Sequence, residues 1–222
     1  MTNDISLIAI LAFFTLLPFI IAAGTCFLKI SIVFIMVRNA LGLQQVPSNM
    51  VLNGIALLLS LFVMLPITQE AYDYYNDENV NFNDATSLSQ FVDNGLVGYR
   101  EYLTKYSDKE LVKFFEKIQL NRIQEGNETT VTDDDLDEPS IFSLLPAYAL
   151  SEIKSAFKIG FYIYLPFVVI DLVVSSVLLA LGMMMMSPVT ISTPIKLILF
   201  VAFDGWTLLS EGLVMQYIEL AK

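Results

Sequence analysis

The length, composition and charge of the chain exclude several classes of protein. Its 222 residues are 55% hydrophobic and only 16% charged, and the mean hydropathy of +0.64 exceeds that of an ordinary soluble domain. The net charge of −11, the absence of histidine and the single cysteine argue against a nucleic-acid partner, a His/Cys metal site and an intrachain disulfide. The composition predicts an integral membrane protein without a cofactor.

The first two apolar segments are each long enough to cross a membrane. Residues 5–28 and residues 46–68 carry no charged side chain, and about 20 apolar residues in a helix span a hydrocarbon core. No Lys or Arg precedes the first segment, so we expect it to be retained rather than cleaved as a signal peptide. Residues 1–68 are predicted to form an N-terminal hydrophobic helical hairpin.

A hydrophilic insert at residues 69–140 carries all the excess negative charge. It contains 17 acidic and 6 basic residues, which gives a net charge of −11. The insert is predicted to be helical first and to end in a disordered acidic loop at residues 125–139. Its helical part contains an apolar stripe made of Leu111, Phe114, Phe115, Ile118 and Ile123.

Two further apolar segments follow the insert and contain acidic residues. Residues 159–187 include Asp171, and residues 197–217 include Asp204 and Glu211. An aspartate near the middle of a bilayer costs about 2.5–3.5 kcal/mol, so these side chains need a cationic partner or a place away from lipid. The whole of residues 141–222 is predicted to form a C-terminal hydrophobic helical hairpin.

Proline residues interrupt several of these segments. Pro18 and Pro166 fall inside predicted helices, where each removes a backbone hydrogen bond and bends the helix. Bent helices are tolerated against protein or a water-filled cavity, which favours a pore-lining or assembly role over a plain anchor; an ordinary kinked bundle is the alternative. The predicted fold is an all-α membrane protein of kinked helical hairpins, with about four long hydrophobic segments.

The distribution of cations predicts how the chain crosses the membrane. Lys29, Arg38 and Lys196 flank the two short connections between the spans. The positive-inside rule places these connections in the cytoplasm and the acidic insert on the outer side. Lys154 and Lys158, at the outer edge of the third span, argue mildly against this topology.

Lysines at the start of the third segment are candidates for contacts between subunits. Lys154 and Lys158 lie four residues apart, on one face of a helix, with Glu152 offset from that face. Two neighbouring cations attract a shared anion, which a lipid phosphate or a carboxylate of another helix or subunit can supply. The alternative is snorkelling of both side chains to the lipid headgroups.

The two aspartates have three possible explanations. In a multi-subunit assembly, Asp171 and Asp204 pair with cations of a neighbouring subunit; in a transporter, they bind protons or ions; in a third case, they are buried away from lipid. The candidate cations for such pairing are Lys29, Lys158 and Lys196.

Four consecutive methionines stand near the end of the third segment. On a helix they spread over about 300°, so they cannot all face one partner, and no Cys or His is near them in sequence to support a copper site. Apolar filler at the end of a span is one explanation. The other is a compliant loop, repeated around a ring of copies, that deforms around a passing molecule. This methionine loop consists of Met183, Met184, Met185 and Met186, and Gly182 and Pro188 bracket it.

Long stretches of the chain resemble one known family. The motifs "PAYALSEI" and "DLVVSSVLLALGMMMMSP" and the N-terminal "GTCFLKISIVFIMVRNALGLQQVPSN" are similar to sequences of the FliP/SctR family, whose members are inner-membrane pore subunits of type III secretion export apparatuses in bacteria. The resemblance covers essentially the whole chain, with residues 76–140 the least diagnostic. It is closest to the virulence (injectisome) branch of the family.

The resemblance implies a non-enzymatic subunit of a helical, ring-like channel. Five copies would assemble with a small two-helix S subunit and a T subunit, and would contact other export-apparatus, needle and inner-rod proteins as well as membrane lipids. Unfolded effector and needle polypeptides would pass through the channel. The resemblance also implies that Met183 to Met186 form a gasket, and that much of the assembled complex, including the acidic insert, lies on the periplasmic side of the inner membrane.

A second hypothesis rests on the acidic residues alone. A small ion-coupled membrane carrier would use Asp171, Asp204 and Glu211, and would work as a monomer or dimer. An enzyme is the least expected class, because the sequence contains no Ser/His, Cys/His or metal-ligand constellation.

Overall fold

The computed structural model describes residues 18–78, 90–124, 139–183 and 185–218, with the isolated residues 11, 15 and 87, and all the regular secondary structure in these residues is helical. This confirms the all-α prediction. One π-helical turn, Phe91–Gly95, precedes the helices of the insert. The α-helices are α1 (Pro18–Gly24), α2 (Phe27–Ala40), α3 (Asn49–Asp77), α4 (Val97–Tyr106), α5 (Lys109–Gln124), α6 (Ile141–Ala180), α7 (Pro188–Ala202) and α8 (Gly205–Ile218).

The helices supply between two and four membrane spans by length and composition. The 29-residue α3 and the 40-residue α6 are each long and apolar enough to cross a bilayer alone. The pairs α1–α2 and α7–α8 also qualify, but each pair is bent by more than 40° at a break of at most four residues. The prediction of about four hydrophobic segments arranged as kinked hairpins is confirmed.

The helix α6 contains one of the two prolines that are predicted to bend a helix. It runs from Ile141 to Ala180 without a break at Pro166, and the bend predicted there stays a prediction. A proline removes only one backbone hydrogen bond, and long apolar helices tolerate this loss. The break between α7 and α8 falls instead at Asp204, and the two helices meet there at 59°. Pro18 stands at the edge of the described residues, so the bend predicted there stays a prediction.

Two compact units divide the chain. Unit 1 consists of Met1–Leu28 and Met64–Ile153, and unit 2 consists of Lys29–Val63 and Lys154–Lys222. Each unit combines segments that are far apart in sequence, because α3 and α6 contribute one end to each unit. The predicted division into an N-terminal hairpin, an insert and a C-terminal hairpin stays a prediction about how the chain is organised.

Buried tyrosines organise the core of unit 1. The hydroxyls of Tyr102 on α4 and Tyr148 on α6 share a hydrogen bond of 2.6 Å, and the Tyr99 hydroxyl donates one of 2.9 Å to the carbonyl oxygen of Gly24. Glu152 is buried near Tyr102. Burial raises the pKa of Tyr102 far above its ordinary value, so the phenol stays protonated and the hydrogen bond persists.

The described part of the insert is helical, as the sequence predicts. The backbone N–H of Asp108, just before α5, donates a hydrogen bond of 2.7 Å to the Ser151 hydroxyl of α6. On α5, the apolar stripe leaves Phe114 and Ile118 exposed. The predicted disordered loop at residues 125–139 lies, except for its last residue, outside the described residues.

Aromatic side chains form much of the core of unit 2. The Trp206 ring, at the start of α8, packs edge-on against Phe34 of α2 and Phe200 of α7, with centroid distances of 5.8 and 5.3 Å. Phe167 of α6 contacts Phe200 at 6.5 Å. Each such pair stabilises the fold by about 0.5–1.5 kcal/mol beyond the burial of its area. This core holds α2, α6, α7 and α8 together around the base of the C-terminal hairpin.

Candidate functional site

The helix α6 ends in a Schellman motif that starts the methionine loop. The N–H of Met183 bonds the carbonyl oxygen of Leu178, and the N–H of Gly182 bonds that of Leu179, both at 3.0 Å. Gly182 has a φ of +74°, a left-handed conformation that glycine adopts without a Cβ clash. The motif explains why a glycine stands directly before the methionines.

The loop ends where α7 begins. Ser187 is extended, and Pro188 is the first residue of the helix, where its missing N–H is tolerated. Within the loop, the N–H of Met186 bonds the carbonyl oxygen of Met183 at 3.3 Å. The turn therefore lies between the two residues that the sequence predicts to bracket it.

Three of the four methionine side chains are exposed. Met185 is fully exposed, and Met183 and Met186 are exposed as well; Met184 lies outside the described residues. Met185 buries almost no surface, so its thioether contributes little to the stability of the single chain. The loop is thus available for contacts beyond this chain.

An ion pair joins the two helices α6 and α7, which we call the stem of the methionine loop. Lys196 Nζ lies 2.6 Å from Asp171 Oδ2 and donates a second hydrogen bond, of 3.1 Å, to the carbonyl oxygen of Ala40. The Lys196 side chain is only 4% exposed, and that of Asp171 is 36% exposed. The charge of Asp171 is therefore neutralised within its own chain, whereas a cation of a neighbouring subunit was one of the three explanations that the sequence left open.

Asp204 has a structural role at the break between α7 and α8. Its φ of 49° places it in the left-handed region, which aspartate tolerates better than most residues. Its Oδ1 accepts a hydrogen bond of 3.0 Å from the Thr207 hydroxyl, and its carbonyl oxygen accepts one from the N–H of Leu208. These contacts explain an aspartate in an apolar segment without an ion-binding role.

Two basic residues of α2 are buried in unit 2. Lys29 Nζ donates a hydrogen bond of 2.8 Å to the Tyr217 hydroxyl and lies 4.5 Å from the centre of that ring. Arg38 Nη1 donates to the carbonyl oxygen of Pro47 at 3.0 Å and to Asn49 Oδ1 at 2.6 Å. Each cation thus ties α2 to another segment of unit 2, and Arg38 holds the turn before α3.

The remaining predicted charges lie on α6, in different surroundings. Glu152 is buried in unit 1, beside the tyrosines described above. Lys154 and Lys158 belong to unit 2, where both side chains are exposed. Of the residues predicted for contacts between subunits, the structure brings together Asp171 and Lys196, and an assembly role for the others stays a prediction.

The pairing of Asp171 with Lys196 inside one chain was not predicted from the sequence. A usable signal was present, because the two residues lie at similar sequence distances before and after the methionine loop. In a helical hairpin that turns at the loop, residues at equal distances from the turn face each other. The hydrogen bond between Lys29 and Tyr217 was not predicted either, because no local sequence pattern indicates it.

Comparison with known proteins places these features in a family. The profile of the FliP family matches residues 10–213. The chain is 75% identical over 224 residues to the surface presentation of antigens protein SpaP of Salmonella typhimurium, with all of both chains covered. It is 61% identical to the SpaP protein of Shigella flexneri over 220 residues, or 99% of each chain. It is 46% identical to the Yop proteins translocation protein R of Yersinia pestis over 217 residues, or 97% of each chain. The resemblance seen in the sequence is confirmed, and the chain belongs to the FliP family.

Proposed function

We propose that this chain forms part of the wall of a protein-export channel in a bacterial inner membrane, with the methionine loop as its seal. Because it belongs to the FliP family, the chain is a membrane component of a type III secretion apparatus. A relative named for the translocation of Yop proteins belongs to the same family. Within that apparatus, we propose that the chain lines the channel through which unfolded polypeptides are exported.

The observation that carries the proposal is the exposed methionine loop at the tip of an apolar hairpin. Methionine side chains are unbranched and polarisable, so they adapt to surfaces of different shape. One loop is too small to close a pore, but five copies of Met183 to Met186 around one axis would contribute about twenty thioethers. Such a ring would close around water-sized solutes and yield to a passing chain.

The apolar surfaces of α6 and α3 are largely uncovered in the single chain, which supports an assembly. Only 11% of the most apolar 18-residue stretch of α6 is buried in the single chain, and the corresponding share for α3 is 28%. Lipid or neighbouring subunits must cover such surface. We propose other copies of the chain, together with the S and T subunits of the apparatus, as its covering partners, and lipid for the remainder.

The carrier hypothesis gains no support from Asp171 or Asp204. Asp171 is engaged by Lys196 and Asp204 by the break between α7 and α8, so both have structural explanations. In the described part of the chain, no three acidic side chains come together as a cation site. The carrier therefore stays the weaker alternative, and ion-coupled flux by the isolated chain would revive it.

The experiment that tests the seal replaces Met183 to Met186 with serine in the assembled complex. We expect the complex to form in normal amounts and to leak ions in a liposome flux or conductance assay, because four small polar side chains leave the axis open to water. The matched control is Met50→Ser, which changes an exposed methionine on α3. Tight membranes with the serine loop would contradict the seal, and lack of any multi-copy complex of the unmodified chain would contradict the channel.

A further inference from the structure

A groove in unit 2 combines an apolar lining with one carboxylate. It has a volume of about 530 Å³ and lies between α3 and α8. Glu211 is exposed there and has no hydrogen bond or ion pair within the described ranges. The other described acids of unit 2 are engaged, Asp171 by Lys196 and Asp204 by Thr207. The residues lining the groove are Leu59, Phe62, Ser210, Glu211, Val214 and Met215.

A ridge on α6, also in unit 2, has the complementary character. Lys158 is exposed, and its ammonium group has no ion pair with any residue that the structure describes. Phe161, Tyr162 and Leu165 follow it at helical spacing, so they share its face of the helix. All three are exposed. We call these four residues the α6 ridge: a line of large apolar side chains with one cation at its end.

We infer that the α6 ridge of one copy of this chain packs into the groove between α3 and α8 of the next copy, with Lys158 paired to Glu211 across the contact. This inference rests on the proposed function, because it requires several copies around one axis. The contact is heterologous, since each copy presents its ridge to one neighbour and its groove to the other. Repetition of such a contact generates a ring or a helix.

The ridge and the groove lie at similar distances from the methionine loop. Lys158 precedes the end of α6 by about 22 residues, or roughly 33 Å at 1.5 Å per residue. Glu211 follows Pro188 by about 23 residues, and the 59° bend between α7 and α8 shortens that path to roughly 30 Å. If rotation about one axis relates the copies and their loops form one ring, the two charges meet at the same level.

A second copy suits the groove better than a lipid chain does. An acyl chain would cover Leu59 and Val214 but would leave the Glu211 carboxylate in hydrocarbon without a cation, which is unfavourable. The α6 ridge supplies large apolar side chains and the missing ammonium group together. The same contact provides Lys158 with a carboxylate, and the attraction between the two charges offsets part of the desolvation cost of both.

Charge reversal tests the pairing. We expect Lys158→Glu and Glu211→Lys each to lower the amount of multi-copy complex on native gels at least several-fold, because each places like charges in the contact. The combined variant should restore most of the complex. Lys117→Glu, which reverses an exposed lysine on α5, is the matched control and should assemble normally. Normal assembly of either single variant, or a combined variant no better than the singles, would overturn the inference.

Cross-linking provides a measurement that does not depend on altered charges. Two differently tagged chains, both with Cys26→Ala, carry Lys158→Cys and Glu211→Cys, respectively, and are co-expressed with the other apparatus subunits. A short bis-maleimide should join the two tags, whereas Lys117→Cys in place of Lys158→Cys should give no product. Cross-linking of either cysteine only to another protein of the apparatus would overturn the inference. If multi-copy complexes form but the tags are not joined, this contact is wrong and the proposed channel still stands.

Discussion

Asp171 on α6 and Lys196 on α7 form an ion pair of 2.6 Å across the stem of the methionine loop. Because Lys196 also bonds the carbonyl oxygen of Ala40, one ammonium group connects α2, α6 and α7. This arrangement fixes how far α7 can slide along α6. The position of the methionine loop relative to the core of unit 2 therefore depends on a side-chain contact well away from the loop itself.

The first prediction concerns this ion pair. Asp171→Ala leaves the buried Lys196 without its carboxylate and should lower the free energy of unfolding by about 1–3 kcal/mol. The expected loss is smaller than for a fully buried ion pair, because Asp171 is partly exposed. The double variant Asp171→Ala with Lys196→Met removes both charges of the pair and should therefore cost less than Asp171→Ala alone. Thermal unfolding in detergent measures both. Equal stability of Asp171→Ala and the unmodified protein would show that the pair does not hold the stem.

The second prediction concerns the glycine that begins the loop. Gly182→Ala should destabilise the protein by about 1 kcal/mol, because its φ of +74° is unfavourable for alanine while no heavy atom lies within 4 Å of the added Cβ. Gly54→Ala is the matched control: it lies inside α3, also with open space around the new Cβ, and should stabilise the protein by about 0.5–1 kcal/mol. Unfolding curves in denaturant compare the two. A stabilising Gly182→Ala would contradict the left-handed turn.

The third prediction concerns the turn before α3. Arg38 is buried, and its two described hydrogen-bond acceptors are neutral. Asn49→Asp would place a carboxylate beside the guanidinium and at the start of a helix, and should stabilise the protein by about 0.5–2 kcal/mol. Asn53→Asp is the control, because the hydrogen bond that Asn53 accepts in the described part of the chain comes from the neutral Ser31 hydroxyl, at 2.7 Å. If both substitutions change the melting temperature equally, the effect does not arise from Arg38.

The fourth prediction concerns alkaline pH. Burial raises the pKa of Tyr99 from 10.0 to about 12, so the folded protein holds this proton more tightly than the unfolded chain does. The resulting stabilisation is fully present below pH 10 and is lost as the pH rises towards 12. Tyr99→Phe should remove this part of the alkaline stability loss, and also the hydrogen bond to Gly24. Chemical unfolding between pH 8 and 12 measures the free energy of unfolding of the unmodified protein and of Tyr99→Phe. Identical pH profiles for the two would contradict the prediction.

Local patterns in the sequence predicted the helices and the turn at the methionine loop. Uninterrupted apolar runs made α3 and α6 recognisable, since hydropathy depends on composition within about 20 residues. Gly182 and Pro188 marked the turn because each residue type fits one backbone position there, the left-handed helix end and the first helical residue. These features depend only on neighbours in sequence.

The contacts that assemble the units could not be predicted in the same way. The pairing of Lys29 with Tyr217 joins residues 188 positions apart, and nothing in either local sequence identifies the other. Pro166 illustrates a different limit: a proline in an apolar segment does not tell whether the helix ends there, and α6 continues through that residue. The break at Asp204 was missed because its cause, a left-handed aspartate followed by a hydroxyl at Thr207, is weaker in sequence than a glycine.

The hydrogen bond between Lys29 and Tyr217 has a consequence for the timing of biosynthesis. A bacterial ribosome adds about 5–20 residues per second, so roughly 10–40 s pass between the synthesis of Lys29 and that of Tyr217. During this interval the Lys29 ammonium group lacks its Tyr217 partner, so unit 2 completes this contact only near the end of synthesis. A nascent chain that stalls before Tyr217 therefore cannot close unit 2 in the way that the full chain does.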